Sequence, residues 1–409
     1  METTVQAFEN PYRPGAGQMP PHLAGRQKEY DEFDRLLRQQ TILDNLVLTG
    51  LRGVGKTVLL ETFKPRAQRQ GWLWVGTDLS ESASVSETNL AIRLLADLAV
   101  VTSGISIEAR TSPGVGFGPA PEPTDVALTY QVLERVFQQT PGLISDRIKA
   151  VLEFVWAVVK DHDRSRVIFS YDEAQNLSDH AARDEFPLSV LLDVFQSIQR
   201  KGIPFMLVLT GLPTLFPKLV EARTFAERMF RVVMIDKLSD EESREAIIKP
   251  LEQQSCPVRL ATPSVDAICR ESGGYPYFIQ FICREVYDVI IQDIADQGSL
   301  LPVSLEAIQR KLDTDFFAGR WAKVTDRQRQ LLYTVATLGH GQDEFTIQEL
   351  VEASRQLLEK PFSSSHASQM LATLGDYGII YKNRFGKYSF AVPLLDKFIL
   401  RTYELPARV

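Results

Sequence analysis

The chain has 409 residues, of which 44% are apolar and 24% charged, and its formal net charge is −7. This is ordinary globular composition, which excludes disorder, collagen and coiled coil as descriptions of the whole chain. At roughly 150 residues per domain we expect two to four domains. The negative charge excludes a whole-surface basic footprint, so any contact with nucleic acid must be local.

The N-terminal segment Asn10–Pro21 holds four prolines and two glycines, which predicts an extended arm rather than a helix. No stretch resembles the apolar region of a signal peptide, and no apolar run approaches the ~20 residues needed to span a bilayer. The three cysteines form no CxxC pair, which suits a reducing compartment. We therefore expect a soluble cytoplasmic protein without membrane contact.

Short apolar strands alternate with helical segments over the first 240 residues. This alternation predicts a parallel sheet covered by helices on both faces. A Pro/Gly-rich connection at Ser112–Asp125 predicts a loop, and two helices are expected within Val126–Lys160. The role of the larger insertion at 80–165 stays open. The predicted strands are Asn45–Thr49, Trp72–Val75, Arg166–Tyr171, Phe205–Thr210 and Arg231–Ile235.

After Ser239 the strand pattern stops, and helical segments continue to about Arg320. Three further helices and two short strands then predict the outline of a winged helix. The helices are expected near Asp326–Leu338, Thr346–Leu358 and Ser364–Tyr377, and the strands at Ile379–Lys382 and Lys387–Val392.

The segment Gly50–Thr57 reads Gly-Leu-Arg-Gly-Val-Gly-Lys-Thr and matches G-x-x-x-x-G-K-[ST] in full. Glycines at this spacing let successive backbone N–H groups point at phosphate oxygens, and the helix that follows adds its positive N-terminal end. Lys56 can reach the β- and γ-phosphates, and the Thr57 hydroxyl can bind Mg²⁺. The motif predicts binding of ATP or GTP.

A second motif ends the predicted strand Arg166–Tyr171, where two acids follow directly. We expect Asp172 to hold Mg²⁺ through water and Glu173 to polarise the attacking water. Thr210 ends the next predicted strand, at the edge where ligands bind in doubly wound sheets. Its hydroxyl can orient the hydrolytic water, and the alternative is an ordinary solvent-facing turn residue.

These motifs resemble those of AAA+ ATPases, in the branch that contains origin-recognition-type initiators and STAND signalling ATPases. The resemblance covers about Asn10 to the C-terminus and is strongest to bacterial ATP-binding proteins with an Asn-Pro-Tyr-x-Pro-Gly start and a winged-helix end. It implies an α/β protein with a parallel-sheet P-loop (AAA+) core. The implied divisions are an N-terminal arm at 1–22, the ATPase core at 23–238, a helical lid at 239–320 and a winged-helix domain at 321–409.

The resemblance also implies roles for individual residues. Gly25 and Arg26 match the segment that flanks the adenine, and Pro276 lies where the lid contacts nucleotide. The lid departs from typical AAA+ proteins because Gly274-Tyr275-Pro276 offers no sensor arginine, which favours a slow, switch-like ATPase. The implied nucleotide-binding set is Gly25, Arg26, Gly50, Arg52, Gly53, Val54, Gly55, Lys56, Thr57, Val58 and Pro276, with Thr57 and Asp172 at the metal.

Two arginines compete for the role of an arginine finger, which would stabilise the transferring phosphoryl group from a neighbouring subunit. Arg228 matches the family stretch Thr224–Phe230. Arg223, five residues earlier, can instead act within its own chain or form a surface ion pair. A finger supplied between subunits implies a homo-oligomer, and the resemblance names ATP and Mg²⁺ as the ligands.

Residues 321–409 carry 11 Lys+Arg against 9 Asp+Glu, so this region is slightly basic. Its candidate recognition helix has no Lys or Arg, whereas Lys382, Arg384 and Lys387 surround the turn of the predicted wing. Two functions therefore remain open. The first is an ATP-hydrolysing switch that contacts duplex DNA through the wing, and the second is a signalling scaffold whose winged helix recruits a protein.

Overall fold

The computed structural model describes residues 9–15, 17–109, 124–162, 165–253, 256, 258–297, 305–339, 344–383 and 386–405. Most of the predicted connection Ser112–Asp125 lies outside these ranges, as does Arg384. No helix within the described ranges is long and apolar enough to cross a membrane.

Nine strands occur in the described residues. In chain order they are β1 Asn45–Thr49, β2 Trp72–Val75, β3 Ser106–Ala109, β4 Thr124–Ala127, β5 Arg166–Tyr171, β6 Phe205–Gly211, β7 Phe230–Met234, β8 Ile380–Lys382 and β9 Tyr388–Phe390.

Five of these strands form one parallel sheet in the order β2-β5-β6-β1-β7. The parallel sheet confirms the prediction, and the strand bounds differ from it by one residue at most. Because all five strands run the same way, the segments after β1, β5 and β6 meet at one edge. That edge holds the phosphate motif and the paired acids.

Eight α-helices lie in the described residues of this first part of the chain: α1 Gln27–Leu37, α2 Lys56–Arg69, α3 Glu87–Thr102, α4 Tyr130–Gln139, α5 Ile144–Val159, α6 Pro187–Arg200, α7 Leu215–Ala222 and α8 Ala226–Met229. They cover both faces of the sheet. Leu46 and Leu48 of β1 pack on one face with Phe33 of α1, whereas Val47 packs on the other face with Leu191 of α6. Burial on both faces explains the continuous apolar runs of the strands.

The antiparallel pair of β3 and β4 was missed by the sequence analysis. Thr124 and Asp125 belong to β4, so the predicted loop extends two residues too far. The two expected helices follow as α4 and α5, with Pro141 and Gly142 between them. The insertion therefore adds a hairpin and helices that pack beside the sheet.

The segment after the sheet is helical, as predicted. It contains α9 Asp240–Gln253, α10 Thr262–Ser272, α11 Pro276–Gln297, α12 Leu305–Leu312, a π-helical turn at Asp313–Phe317 and α13 Ala318–Trp321. We call α9 to α13 with the π-helical turn the lid.

The C-terminal region consists of α14 Asp326–Thr337, α15 Ile347–Leu357, α16 Ser364–Asp376, the strands β8 and β9, and α17 Leu395–Thr402. The two strands pair antiparallel, and Phe345 adds a bridge to Tyr388. Phe317 of the lid stacks on Phe398 of α17 with ring centroids 5.2 Å apart. The lid and the C-terminal region therefore share one hydrophobic core.

The N-terminal arm forms neither helix nor strand in its described residues, as its prolines predict. It is nevertheless fixed to the lid. Tyr12 is 3% exposed and donates a hydrogen bond to the carbonyl oxygen of Ile247 at 2.5 Å. The N–H of Arg13 donates to Oε1 of Gln280 at 3.0 Å. From this anchor the arm runs toward α1 and passes the carboxyl edge of the sheet.

Candidate functional site

The phosphate loop Gly50–Thr57 joins β1 to α2. Gly53 and Gly55 have φ values of +80° and +92°, a left-handed conformation that residues with side chains rarely adopt. A Cβ on Gly50 would lie 2.4 Å from the carbonyl oxygen of Ile235, so no larger residue fits there. The glycines of the motif are therefore required by the backbone path of the loop.

Lys56 begins α2 and folds back over the phosphate loop. Its Nζ donates hydrogen bonds to the carbonyl oxygens of Gly50 at 2.9 Å and Leu51 at 2.8 Å. Burial lowers the pKa of Lys56 to about 8, and the nearby carboxylates of Glu173 and Asp172 oppose this shift. No carboxylate of the described residues lies within ion-pair distance of this buried ammonium group, as expected for a group that binds phosphate.

The two sequence motifs meet in space. The Thr57 hydroxyl donates a hydrogen bond to Oδ2 of Asp172 at 2.5 Å. The Asp172 backbone is held by the extension of β2, because its N–H donates to Thr77 and its carbonyl oxygen accepts from the N–H of Leu79. Burial raises the pKa of Asp172, and the hydrogen bond from Thr57 partly offsets this shift. These two hard oxygen ligands fit Mg²⁺, which usually takes one or two protein oxygens together with phosphates and water.

Glu173 follows Asp172 directly in the chain, and like Thr57 it lines a cavity beside the phosphate loop. Its φ of +51° is left-handed, and its N–H donates to Oδ1 of Asp172 at 2.8 Å. The side-chain amide of Gln175 donates to Oε2 of Glu173. The role of Gln175 was not predicted from the sequence, since only the folded turn brings its amide to the Glu173 carboxylate.

A cavity of about 280 Å³ connects these residues with the arm and the lid. Among the described residues its lining includes five arginine or lysine side chains but a single carboxylate, that of Glu173. This excess of positive charge favours a polyanionic ligand. The five cationic residues are Arg13, Arg26, Arg52, Lys56 and Arg320.

The N-terminal arm forms one wall of the cavity, which sequence analysis did not predict. Arg13, Pro14, Gly15, Gly17 and Gln18 all line it. Gly17 comes so close to the phosphate loop that a Cβ there would lie 3.3 Å from Cγ2 of Thr57. A nucleotide in the cavity would therefore contact the arm as well as the core.

Of the two residues predicted to flank the adenine, Arg26 lines the cavity and Gly25 does not. Arg26 is buried, and its Nη2 donates to the carbonyl oxygens of Val54 at 2.8 Å and Asp236 at 3.1 Å. Its guanidinium thus ties the phosphate loop to the segment after β7, in addition to lining the cavity. Gly25 does not line the cavity, and a Cβ there would collide with Glu242.

Thr210 lies inside β6, which continues through Gly211, so the prediction that it ends the strand is wrong. Its side chain is 0% exposed, which also rules out a solvent-facing turn residue. Its Oγ1 has no hydrogen-bond partner among the described residues. The cavity lining does not include it.

The two finger candidates have different surroundings. Arg223 forms a two-point ion pair with Asp193, at 2.8 Å from Nε to Oδ1 and 2.7 Å from Nη2 to Oδ2, and also donates to the Ser189 hydroxyl. This pair raises the pKa of Arg223. Arg228 is exposed on α8 and makes no ion pair with any described residue. Arg228 is therefore the arginine that is available to another molecule.

The lid touches the phosphate loop directly. The backbone N–H of Tyr277, in the first turn of α11, donates to the carbonyl oxygen of Gly53 at 3.1 Å. Pro276, Tyr277, Phe316 and Arg320 line the cavity from the lid side. Pro276 was predicted here from the sequence but Arg320 was not, since Arg320 lies in α13, far along the chain from α11.

The hairpin of β8 and β9 faces the core across a second cleft of about 780 Å³. Lys382, Asn383 and Gly386 line this cleft on one side, and Arg52 and Gln175 line it on the other. Lys387 lies 3.8 Å from Glu344, an exposed ion pair. The proposed wing thus lies beside the phosphate loop.

Two parts of the chain match known protein families. Residues 44–219 match an AAA domain family, and residues 314–399 match a family described as a domain of unknown function, DUF8462. No curated protein matches this chain. A Walker-type ATPase of Pyrococcus abyssi superposes with a TM-score of 0.57 at 14% identity, covering 92% of this chain and 96% of that one.

The core has the fold of P-loop AAA+ ATPases. A second solved structure, the ORC2 protein of Aeropyrum pernix in its ADP form, has a TM-score of 0.52 at 16% identity. It covers 95% of this chain and 97% of that one. At these identities the likeness concerns the fold alone, and it includes the helical regions that follow the AAA+ core.

Proposed function

We propose that this protein is an ATPase that binds ATP with Mg²⁺ between the AAA+ core and the lid and hydrolyses it slowly, as a switch. The observation that carries the proposal is the contact between Thr57 and Asp172, which joins the phosphate loop to the acidic motif. Lys56 and Glu173 line the same positively charged cavity.

Each residue has a distinct part in the proposed reaction. The loop N–H groups and Lys56 bind the phosphates, and Thr57 and Asp172 hold Mg²⁺. The metal ion would neutralise negative charge on the β- and γ-phosphate oxygens. Glu173 accepts a hydrogen bond from the attacking water and draws off its proton.

We further propose that hydrolysis depends on assembly into a homo-oligomer. The exposed guanidinium of Arg228 supports this, because it is free to reach a nucleotide bound in a neighbouring copy. Arg223 is less suited to this role, since its guanidinium is held by Asp193. Under this proposal the functional divisions are the arm at 1–22, the core at 23–238, the lid at 239–320 and the C-terminal domain at 321–409.

For the output of the switch we propose contact with duplex DNA through a C-terminal winged helix. The three helices and antiparallel hairpin support that fold, and Lys382, Arg384 and Lys387 supply the positive charge. The candidate recognition helix α16 carries no Lys or Arg. Contact is therefore expected to rest on phosphate binding by the wing.

The second candidate is a signalling scaffold in which ATP drives assembly and the C-terminal region recruits a protein. The observation that favours it is that Lys382 and Asn383 line a cleft shared with the core, although Lys382 itself is exposed. DNA affinity measured against salt separates the two functions. The variant Lys382→Ala/Lys387→Ala should make the log–log salt slope shallower by about 0.9 per lost phosphate contact, and Arg355→Ala/Lys360→Ala should not. Absence of DNA binding at low salt would favour the scaffold.

The ATPase itself is tested with two variants that separate binding from turnover. Lys56→Ala removes the buried cation at the phosphates, so ATP binding should be lost. Glu173→Gln keeps the shape of the side chain but cannot accept a proton, so it should bind ATP and turn it over roughly 10²–10⁴-fold more slowly. Wild-type affinity in the first variant would refute the site, and wild-type turnover in the second would refute the assignment of the base.

A further inference from the structure

Two arginines from different parts of the chain face each other at the phosphate end of the cavity. Arg52 belongs to the phosphate loop, and Arg320 belongs to α13 at the end of the lid. Both line the nucleotide cavity, and both also line a small adjoining cleft. Burial lowers the pKa of Arg320, and the positive charge of Arg52 lowers it further. Arg320 is half-buried whereas Arg52 is exposed, so an anion between them would offset the repulsion that the partly desolvated Arg320 experiences.

Within the described ranges neither guanidinium forms an ion pair with a carboxylate. Other arginines of this region do: Arg26 lies 3.6 Å from Glu29, and Arg223 lies 2.7 Å from Asp193. The charge on Arg52 and Arg320 is therefore not compensated from within the described chain. Water solvates the exposed Arg52, whereas the half-buried Arg320 has no carboxylate partner, and an anionic ligand in the cavity would supply a negative charge to both.

Arg320 is held in place before any ligand binds. Its Nη1 donates to the carbonyl oxygen of Phe316 at 2.5 Å, and its guanidinium carbon lies 4.4 Å from the centroid of the Phe316 ring. The Phe316 ring in turn packs on Tyr277, with centroids 5.2 Å apart. The backbone N–H of Tyr277 donates a hydrogen bond to the carbonyl oxygen of Gly53 in the phosphate loop. The position of Arg320 is thus tied to the loop by three successive contacts.

The location of Arg52 indicates which part of a nucleotide the pair would meet. Arg52 also lines the cleft that contains Gln175, whose amide binds the Glu173 carboxylate. The pair therefore lies near the hydrolytic end of the cavity. The opposite end is lined by apolar residues such as Leu238 and Ala246, which suit a base.

We propose that Arg52 and Arg320 together bind the terminal phosphate of ATP, so that the site distinguishes ATP from ADP. The proposal rests on the ATPase function and supplies the arginine that the lid helix α11 lacks near its start. Arg320 lies shortly before α14, and a Cβ on Gly378 of the C-terminal region would lie 3.4 Å from Nη2 of Arg52. The pair therefore adjoins the connection to the C-terminal region, which then senses the terminal phosphate.

The test compares affinities for a non-hydrolysable ATP analogue and for ADP, both with Mg²⁺ at fixed salt. Arg320→Gln should weaken analogue binding about 10- to 100-fold, the usual effect of losing a hydrogen bond to a charged group, and should leave ADP binding nearly unchanged. Arg320→Lys, which keeps the charge, should bind the analogue with intermediate affinity. Lys323→Gln is the matched control, because Lys323 lines the adjoining cleft but not the nucleotide cavity.

Equal losses for the analogue and ADP in Arg320→Gln would overturn the proposal, and so would unchanged affinity for both. A thermal unfolding curve like that of the wild type excludes a folding defect as the cause. Lys56→Ala separates this proposal from the ATPase function, because it should weaken both ligands. If Lys56→Ala loses binding while Arg320→Gln changes nothing, the terminal-phosphate proposal fails and the ATPase function stands. If the wild type binds neither ligand, the ATPase function itself fails.

Discussion

Gln175 connects the Glu173 carboxylate to the end of the neighbouring strand. Its Nε2 donates to Oε2 of Glu173, and its Oε1 accepts a hydrogen bond from the N–H of Leu212 at 3.1 Å. Nζ of Lys218 also donates to the Gln175 carbonyl oxygen at 2.6 Å. The proposed base is therefore oriented by the segment that leads to α7 and the finger candidates.

Replacing Gln175 by Met should slow ATP turnover while leaving ATP affinity near the wild-type value. The thioether fills similar space but cannot donate to Glu173, and loss of a hydrogen bond to a charged group corresponds to about 10- to 100-fold. Steady-state turnover and equilibrium binding of an ATP analogue measure the two effects. Asn176→Ala is the control, since Asn176 donates to the carbonyl oxygen of Leu79 instead. Equal turnover in the wild type and Gln175→Met would contradict a positioning role.

Nucleotide affinity should fall as pH rises above about 8, the pKa to which burial lowers Lys56 in the free protein. The group is protonated below this pKa and neutral above it, and only the protonated form attracts phosphate. Binding of ATP therefore raises the pKa of Lys56. Above the pKa of the free protein, binding is accompanied by uptake of a proton at Lys56. The loss should approach tenfold per pH unit well above the pKa.

Isothermal calorimetry at pH 8.5 in two buffers of different ionisation enthalpy measures this proton uptake. Lys56→Arg is the control, because a guanidinium does not titrate in this range. Its affinity should be lower overall but should not show the same decline above pH 8. Affinity of the wild type that is constant from pH 7 to 9.5 would refute the prediction.

Arg228→Ala should bind ATP normally and lose hydrolysis, and wild-type activity per chain should rise with protein concentration. Mixing Arg228→Ala with Lys56→Ala should restore activity, because one supplies an intact phosphate site and the other an intact finger. ATPase rates of the separate and mixed variants measure this. No recovery, together with turnover that is independent of concentration, would mean that Arg228 does not act between subunits.

Arg223→Ala provides the comparison for Arg228. Because Arg223 is paired with Asp193 on a partly exposed surface, its loss should lower the free energy of unfolding by about 1 kcal/mol or less. ATP hydrolysis by this variant should remain close to that of the wild type. A complete loss of hydrolysis with normal stability would reassign the finger to Arg223.

Tyr12→Ala should release the N-terminal arm and speed the dissociation of nucleotide. The side chain is buried in the lid, and removing an aromatic ring from a core costs about 3–5 kcal/mol. The arm can detach locally, so global stability should fall by less than this. Tyr12→Phe keeps the ring and loses only the hydrogen bond to Ile247, so it should retain slow release. The rate at which fluorescent ADP dissociates is measured for both variants. Equal rates for Tyr12→Ala and Tyr12→Phe would show that the arm does not retain nucleotide.

The sequence was sufficient to predict those elements whose structure is determined by a local pattern of residues. The strand Arg166–Tyr171 was predicted at its observed bounds because a buried parallel strand reads as a short, mainly apolar run. The motifs assigned Thr57 and Asp172 to the same Mg²⁺, and in the fold the shared edge of the parallel strands brings the two side chains together. Both inferences need only short stretches of sequence and one topological rule.

Other features depend on contacts between distant residues. The strand Ser106–Ala109 gains its partner only from beyond a long connection, and its sequence Ser-Ile-Glu-Ala lacks the apolar run that made the equally short Trp72–Val75 recognisable. Arg320 lines the cavity from α13, far along the chain from α11. The sequence also could not separate Arg223 from Arg228, because the difference lies in Asp193, thirty residues away in the chain.

The hydrogen bond from the N–H of Tyr277 to Gly53 gives the lid a spectroscopic reporter. While the lid rests on the phosphate loop this amide is shielded, and its hydrogen–deuterium exchange is slow. Each excursion of the lid exposes the amide to solvent. The exchange rate at Tyr277 therefore reports the fraction of time for which the lid is open, without any engineered probe.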